Sequence, residues 1–330
     1  MRSRVLVVLG ALTLSLLLPG TVGARSASAD SAARAEHDRI LAYWTPARIA
    51  AARWRDYSVD PKTGKVTPEK GKPGSGGGTG ASWTGGGKVA GSVGRILFSS
   101  GGSQWICSGT VVSDGSTSNG YSVVLSAGHC AYDGADGWSS NFVFYPDFDK
   151  DPTYTCAGRV EGCWTASRLA INSGFYPSGF GPDAALLVDY SFAYFDTAAN
   201  SGELDAAYAG YGLKVSGNNI GDTTWAFGYP AEGRYKGKDL IYCTGTTIAD
   251  LNDIGTWGLP CNMNGGSSGG GWLWGASNPA TDSGKLLASV NSYSYSGVSD
   301  MFGPRFNSQT TSVYNAVVNN GGSGAVVHGA

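Results

Sequence analysis

Val123-Val124-Leu125-Ser126-Ala127-Gly128-His129-Cys130 is an apolar strand that runs into a tight turn of small residues and ends on a histidine beside a cysteine. The meaning of that histidine decides the reading of the chain. The 330 residues contain three histidines: His37 lies near the N-terminus, His328 is third from the end in a Gly-rich tail, and only His129 lies inside the β-rich body. A lone histidine is usually a satisfied polar group, so its surroundings must say whether it does chemistry.

Outward from this stretch the pattern is all-β from about Val89. Expected strands are Gly94–Phe98, Ser103–Val112, Tyr121–Leu125, Phe142–Tyr145, Ala184–Val188, Trp225–Gly228, Leu240–Thr244, Trp272–Trp274 and Leu286–Tyr293. Most are rich in β-branched or aromatic residues and are separated by turn residues. A helix is expected at Thr311–Val318, where Val313 and Val317 share a face. With 52 glycines and few strong helix formers, this body has the size of a double barrel or a sandwich.

Toward the N-terminus the composition changes twice. Arg2 and Arg4 precede an apolar run from Val5 to Leu18, and Ala27-Ser28-Ala29 supplies a small-residue cleavage site, with Val22-Gly23-Ala24 as a second choice. Residues 1–29 thus read as a secretory signal, too short in its apolar part to anchor the protein in a bilayer. A prosegment is expected over residues 30–88. Thr45 caps and Pro46 opens a helix over Ala47–Trp54, and Lys70 to Lys88 reads as a flexible Gly-rich linker. The folded domain is then 89–330, secreted and monomeric.

The net charge is −2 and 15% of residues are charged, so neither a nucleic-acid partner nor an interaction tail is indicated. All six cysteines (Cys107, Cys130, Cys156, Cys163, Cys243, Cys261) lie beyond residue 100, and an even count in an exported chain points to disulfides. No pair has C-x-x-C spacing, which argues against zinc. Six cysteines allow 15 pairings, of which neighbour pairing is the simplest. Asp147, Asp149 and Asp151 alternate like the start of a calcium loop, but Pro152 and Gly158 stand where such a loop needs Gly and Glu. No metal and no cofactor is expected.

Serine-based acyl transfer needs a base beside the hydroxyl, a carboxylate to orient it, and N–H donors for the oxyanion. The run Gly265-Gly266-Ser267-Ser268-Gly269-Gly270-Gly271 is either a plain flexible loop or a tight turn presenting a serine. Three segments together resemble the chymotrypsin-like serine peptidases. Ser126-Ala127-Gly128-His129-Cys130 is similar to that family's Thr-Ala-Ala-His-Cys, and Cys107-Ser108-Gly109-Thr110-Val111-Val112 to its Cys-Gly-Gly-Ser-Leu-Ile. The serine run resembles Gly-Asp-Ser-Gly-Gly-Pro.

The resemblance implies two six-stranded antiparallel β-barrels and a Cys107–Cys130 disulfide. It makes His129 the base, Ser268 the nucleophile, and the N–H groups of Gly266 and Ser268 the oxyanion hole. The expected carboxylate is Asp183, because Asp183-Ala184-Ala185-Leu186-Leu187 looks like the family's Asp-Ile-Ala-Leu-Leu. Asp189 is the nearest rival, at the end of the apolar run instead of its start. The order His, Asp, Ser is that of chymotrypsin, and the serine segment is closest to secreted glutamyl-endopeptidase-like peptidases.

Asn262, Ser292 and Tyr293 fall at the positions expected to bind substrate. None is charged, so a preference for Arg or Lys is not supported, and no histidine remains to hold a glutamate. Two departures stand out: Ser267 replaces the family's Asp before the nucleophile, and Gly271 replaces its Pro. A hydroxyl cannot pair with a new N-terminal amine, so any zymogen control must work differently. The expected partners are protein or peptide substrates. The alternative is a non-catalytic binding protein whose 10 Trp and 17 Tyr stack on sugars, although their spread along the strands is better explained by core packing.

Overall fold

The computed structural model describes residues 27–68, 80–156, 162–181, 183–200, 202–231, 234–263, 265–275, 278–281, 284 and 286–330. The signal reading over 1–26, the linker core 69–79 and Gly158 of the rejected calcium loop lie outside these residues.

The N-terminal segment forms helices α1 (Ala27–Tyr43) and α2 (Pro46–Ala51), then short strands β1 (Arg53–Trp54), β2 (Tyr57–Val59) and β3 (Val66–Pro68). Thr45 caps α2 by accepting the Arg48 N–H at 3.3 Å. The first half of the body comprises β4 (Val93–Ser100), β5 (Ser103–Val112), β6 (Tyr121–Ser126), β7 (Ser140–Pro146), β8 (Arg168–Asn172) and β9 (Ser191–Asp196). The second comprises β10 (Thr223–Gly228), β11 (Ile241–Thr246), β12 (Trp257–Pro260), β13 (Gly271–Trp274), β14 (Leu286–Val290), β15 (Tyr293–Tyr295) and β16 (Asp300–Gly303). Helix α3 (Ser308–Asn319) and strand β17 (Ala325–Gly329) finish the chain.

These strands curl into the two antiparallel barrels of a chymotrypsin-like fold. The first sheet runs β7-β4-β5-β6-β9-β8-β17, so the Gly-rich tail supplies an edge strand paired with β8. The second barrel joins the order β14-β13-β10-β11 to β12-β16-β15, and the Cys243–Cys261 disulfide ties these two sheets together. The remaining disulfides are Cys107–Cys130 and Cys156–Cys163, which completes the neighbour pairing. Trp44, Trp83, Trp164, Trp257, Trp272 and Trp274 are buried, as core packing requires.

Three expectations change. Ala184–Val188 is not a strand: Asp183–Leu186 is a short helical turn, and the strand is the later Ser191–Asp196. Ala and Leu are strong helix formers, whereas Ser-Phe-Ala-Tyr-Phe has the aromatic pattern of a pleated surface. The expected strand Leu286–Tyr293 breaks at Asn291-Ser292, where the chain passes from one sheet of the second barrel to the other. Finally, the linker reading extends too far. Ala81–Ser82 pairs with β11, and Trp83 packs edge-on against Trp225, Phe227 and Tyr242.

Residues 80–92 are therefore part of the body. Replacing Trp83 with alanine removes one of the larger aromatic contacts of the second barrel. Trp83→Ala should lower unfolding free energy by about 3–4 kcal/mol. The measurement is equilibrium denaturation; a loss of less than about 1 kcal/mol would return this segment to the linker.

Candidate active site

Strand register creates the first part of the site. β9 runs antiparallel to β6 with Ser191 opposite Ser126, so the residues beyond these ends, Asp189 and Gly128-His129, come side by side. Asp189 Oδ1 accepts the His129 backbone N–H at 2.7 Å, and Oδ2 accepts from His129 Nδ1 at 2.8 Å. Ser292 Oγ adds a third bond to Oδ2 at 2.5 Å. A Cβ at Gly128 would lie 2.8 Å from Asp189 Oδ1, so the carboxylate needs glycine there. This corrects the choice of carboxylate: Asp183 is exposed at the start of its helical turn, and Asp189 holds the imidazole. The signal in the sequence was the helix-forming character of Ala184–Leu187, which separates Asp183 from the true strand.

His129 and Asp189 are both fully buried. Burial, the largest single influence, pushes the His129 pKa down. The charge and hydrogen bond of Asp189, with the charge of Asp56, outweigh it and leave the imidazole above its usual value. His129 Nε2 is buried and has no hydrogen-bond partner among the described residues.

The serine loop is stitched to β5. Ser108 N–H donates to Ser268 O at 2.8 Å, Ser108 Oγ donates to Gly266 O at 2.8 Å, and Ser126 Oγ donates to Ser108 O at 2.9 Å. Arg95, buried on β4, donates to the carbonyls of Tyr229 and Gly266, the latter at 3.2 Å. Gly266 has φ +98°, a conformation in which side chains are strained, and its N–H points into the site. Ser267, at the family's Asp position, is fully buried, and its hydroxyl has no partner among the described residues. The loop geometry is held by a fixed guanidinium and by hydroxyls, none of which depends on a new N-terminus.

The Ser268 hydroxyl is not hydrogen-bonded to His129; it donates to Asp56 Oδ1, while Asp56 Oδ2 accepts the Gly266 N–H at 2.8 Å. Nothing in the sequence marks Asp56, which lies 212 positions away from its partner. Burial raises its pKa, against the lowering effects of His129, Ser268, Gly266 and Arg95.

The expected substrate residues are placed as follows. Ser292 is buried and bonded to Asp189. Tyr293 offers its backbone to β2 and its hydroxyl to Asp250 at 2.6 Å. Asn262 is committed elsewhere, with Oδ1 accepting from Gly80 N at 3.0 Å and Tyr235 Oη at 2.6 Å. Cys107, His129 and Cys130 cluster closely enough for a metal, but both sulfurs are tied up in their disulfide and offer no thiolate.

No family model matches the sequence, and no curated protein does. Solved structures do. The protease Anisep from Arthrobacter nicotinovorans is 33% identical with a TM-score of 0.59, the match covering 72% of this chain and 98% of that one. A thermostable serine protease from an extremophilic microorganism is 29% identical with a TM-score of 0.57, over 69% of this chain and 97% of that one. A Glu endopeptidase shares the fold at 19% identity and a TM-score of 0.53, over 74% and 98%. The chain belongs to the chymotrypsin-like serine proteases.

The pairing of His129 with Asp189 can be checked without any assay of activity. In an NMR titration of the full chain, the His129 imidazole should titrate above 6.5. Asp189→Asn should lower that value, because burial then acts with less opposition, and Asp183→Asn should leave it unchanged. The reverse pattern would sink the assignment.

Proposed function

We propose that this protein is a secreted serine endopeptidase acting through His129, Asp189 and Ser268. The observation that carries the reading is the buried His129–Asp189 pair beside a serine loop whose Gly266 N–H already points into the site. Family membership supports it, as do three disulfides. No described helix is long and apolar enough to cross a membrane.

In the proposed reaction Ser268 Oγ attacks the peptide carbonyl carbon and passes its proton to His129 Nε2. Asp189 holds the Nδ1–H tautomer and stabilises the imidazolium. The negative charge that develops on the carbonyl oxygen falls on the N–H groups of Gly266 and Ser268. His129 then protonates the leaving amine, and an acyl-enzyme remains. Water, deprotonated by His129, releases the acid and restores Ser268. Ser292 takes part through its bond to Asp189 and not as a wall of the substrate pocket.

Ser268→Ala should abolish both peptide hydrolysis and labelling by a fluorophosphonate. Asp189→Asn should cost about 10⁴-fold in kcat, while Asp183→Asn stays within about twofold of wild type. Loss of activity in the Asp183 variant alone would reject this triad. Only neutral imidazole accepts the serine proton, so kcat/KM should fall as pH drops through the His129 pKa. Burial acts to lower that pKa, and the charge and hydrogen bond of Asp189 act to raise it. A rate that stayed flat from about pH 5 to 9 would exclude His129 as the base.

A further inference from the structure

Residues 53–59 cross the whole face of the candidate active site. On one side β1 pairs with β5 in parallel, Arg53 with Trp105 and Trp54 with Ile106. On the other side β2 pairs with β15 in parallel, from Tyr57–Tyr293 to Val59–Tyr295. Asp56 lies between the two pairings, over the serine loop. Its flanking side chains are anchored. Trp54 packs where any side chain at Gly265 would collide with it. The Arg55 guanidinium reaches Asp136 at 3.1 Å and the His129 carbonyl at 3.5 Å. Tyr57 donates to Asp133 at 2.6 Å, stacks on Phe180 at 4.5 Å and meets the His129 ring edge-on at 5.4 Å.

On the reading of Ser268 as nucleophile, we infer that residues 53–59 are the site's own inhibitory ligand, with the Asp56 carboxylate as its head group. Its two oxygens take the two groups the reaction needs. One accepts the hydroxyl proton that must pass to His129, and the other accepts the N–H that must meet the substrate oxygen. The head group cannot itself be turned over, because a carboxylate carbon is a poor electrophile and no peptide carbonyl occupies the Gly266 N–H. Threading on both sides excludes a substrate backbone from the same strand edges, so the ligand blocks binding as well as chemistry.

The device is also built to be released. No cysteine precedes Cys107, so no disulfide holds the prosegment to the body. One cut within 69–79 leaves residues 27–68 attached by contacts alone, while residues 80–92 stay with the second barrel. Because the serine loop is already held by Arg95 and Ser108, release of the ligand completes the site with no new N-terminal ion pair.

The test is the rate of fluorophosphonate labelling at Ser268 in the uncut full chain, read by intact mass so that only unprocessed protein is counted. Uncut Asp56→Ala should label at least about 100-fold faster than uncut wild type. Asp56→Asn, which keeps the shape and serves where alanine disturbs folding, should label at least about tenfold faster. Thermal melting establishes that each variant is folded. Wild type cut within 69–79 should also label, at a rate that rises on dilution. Uncut wild type labelling within twofold of both variants overturns the inference. So does a cut wild type that labels readily while both uncut variants remain as slow as the uncut parent; the peptidase reading then stands. Absence of labelling in every form overturns the peptidase reading and this inference with it.

Discussion

The interaction on which the site depends is the buried pair between Asp189 and His129. A carboxylate taken out of water is costly unless its oxygens are satisfied, and here each one is. Oδ1 takes the His129 backbone N–H, and Oδ2 takes the ring Nδ1–H and the Ser292 hydroxyl. These three donors come from two separate segments, at His129 and at Ser292, so the pair is also a fastening between the two barrels. The Cys107–Cys130 disulfide holds the residue next to His129 to β5, and β5 in turn carries Ser108, which anchors the serine loop. His129, Asp189 and Ser268 are thus positioned by one continuous set of backbone and hydroxyl contacts.

The serine loop is organised differently from what an acidic residue at position 267 would allow. Ser267 is buried and carries no charge, and the guanidinium of Arg95 reaches the Gly266 carbonyl from β4. A fixed internal cation does the orienting that an ion pair formed on cleavage would otherwise do. On the inhibitory reading proposed above, control over the site lies in its occupancy and not in the loop's shape. The N-terminal segment is docked through Ile40 of α1 and through Trp44 just beyond it, whose indole N–H donates to the Asn141 carbonyl at 2.8 Å. Its carboxylate then reaches the groups that an ordered loop presents.

Much of the architecture was legible in the sequence because it follows from local chemistry. The period-two aromatic and β-branched runs define most strands of both barrels, and the expected Ser103–Val112 matches its observed limits. Thr45 and Pro46 mark the start of α2. Neighbouring cysteines pair, since strands joined by short connections lie close together. His129 stood out through the apolar strand before it and the small residues around it, which announced a tight turn; His328, set aside as part of the tail, lies in β17 of the same sheet.

What only the tertiary structure decided is which groups meet across long separations. The choice between Asp183 and Asp189 depends on the register of β9 against β6, and a register is a property of two strands at once. The edge strand β17 could not be read from its Gly-rich surroundings, because its partner β8 lies far back in the chain. The role of Asp56 is the extreme case. Its own segment, Trp54-Arg55-Asp56-Tyr57, is a plain mixture of polar and aromatic residues, and its partner is 212 residues away. Sequence determines local conformation and the inventory of reactive groups. Only the folded chain brings a carboxylate to a particular hydroxyl, because that contact depends on the packing of every strand between them.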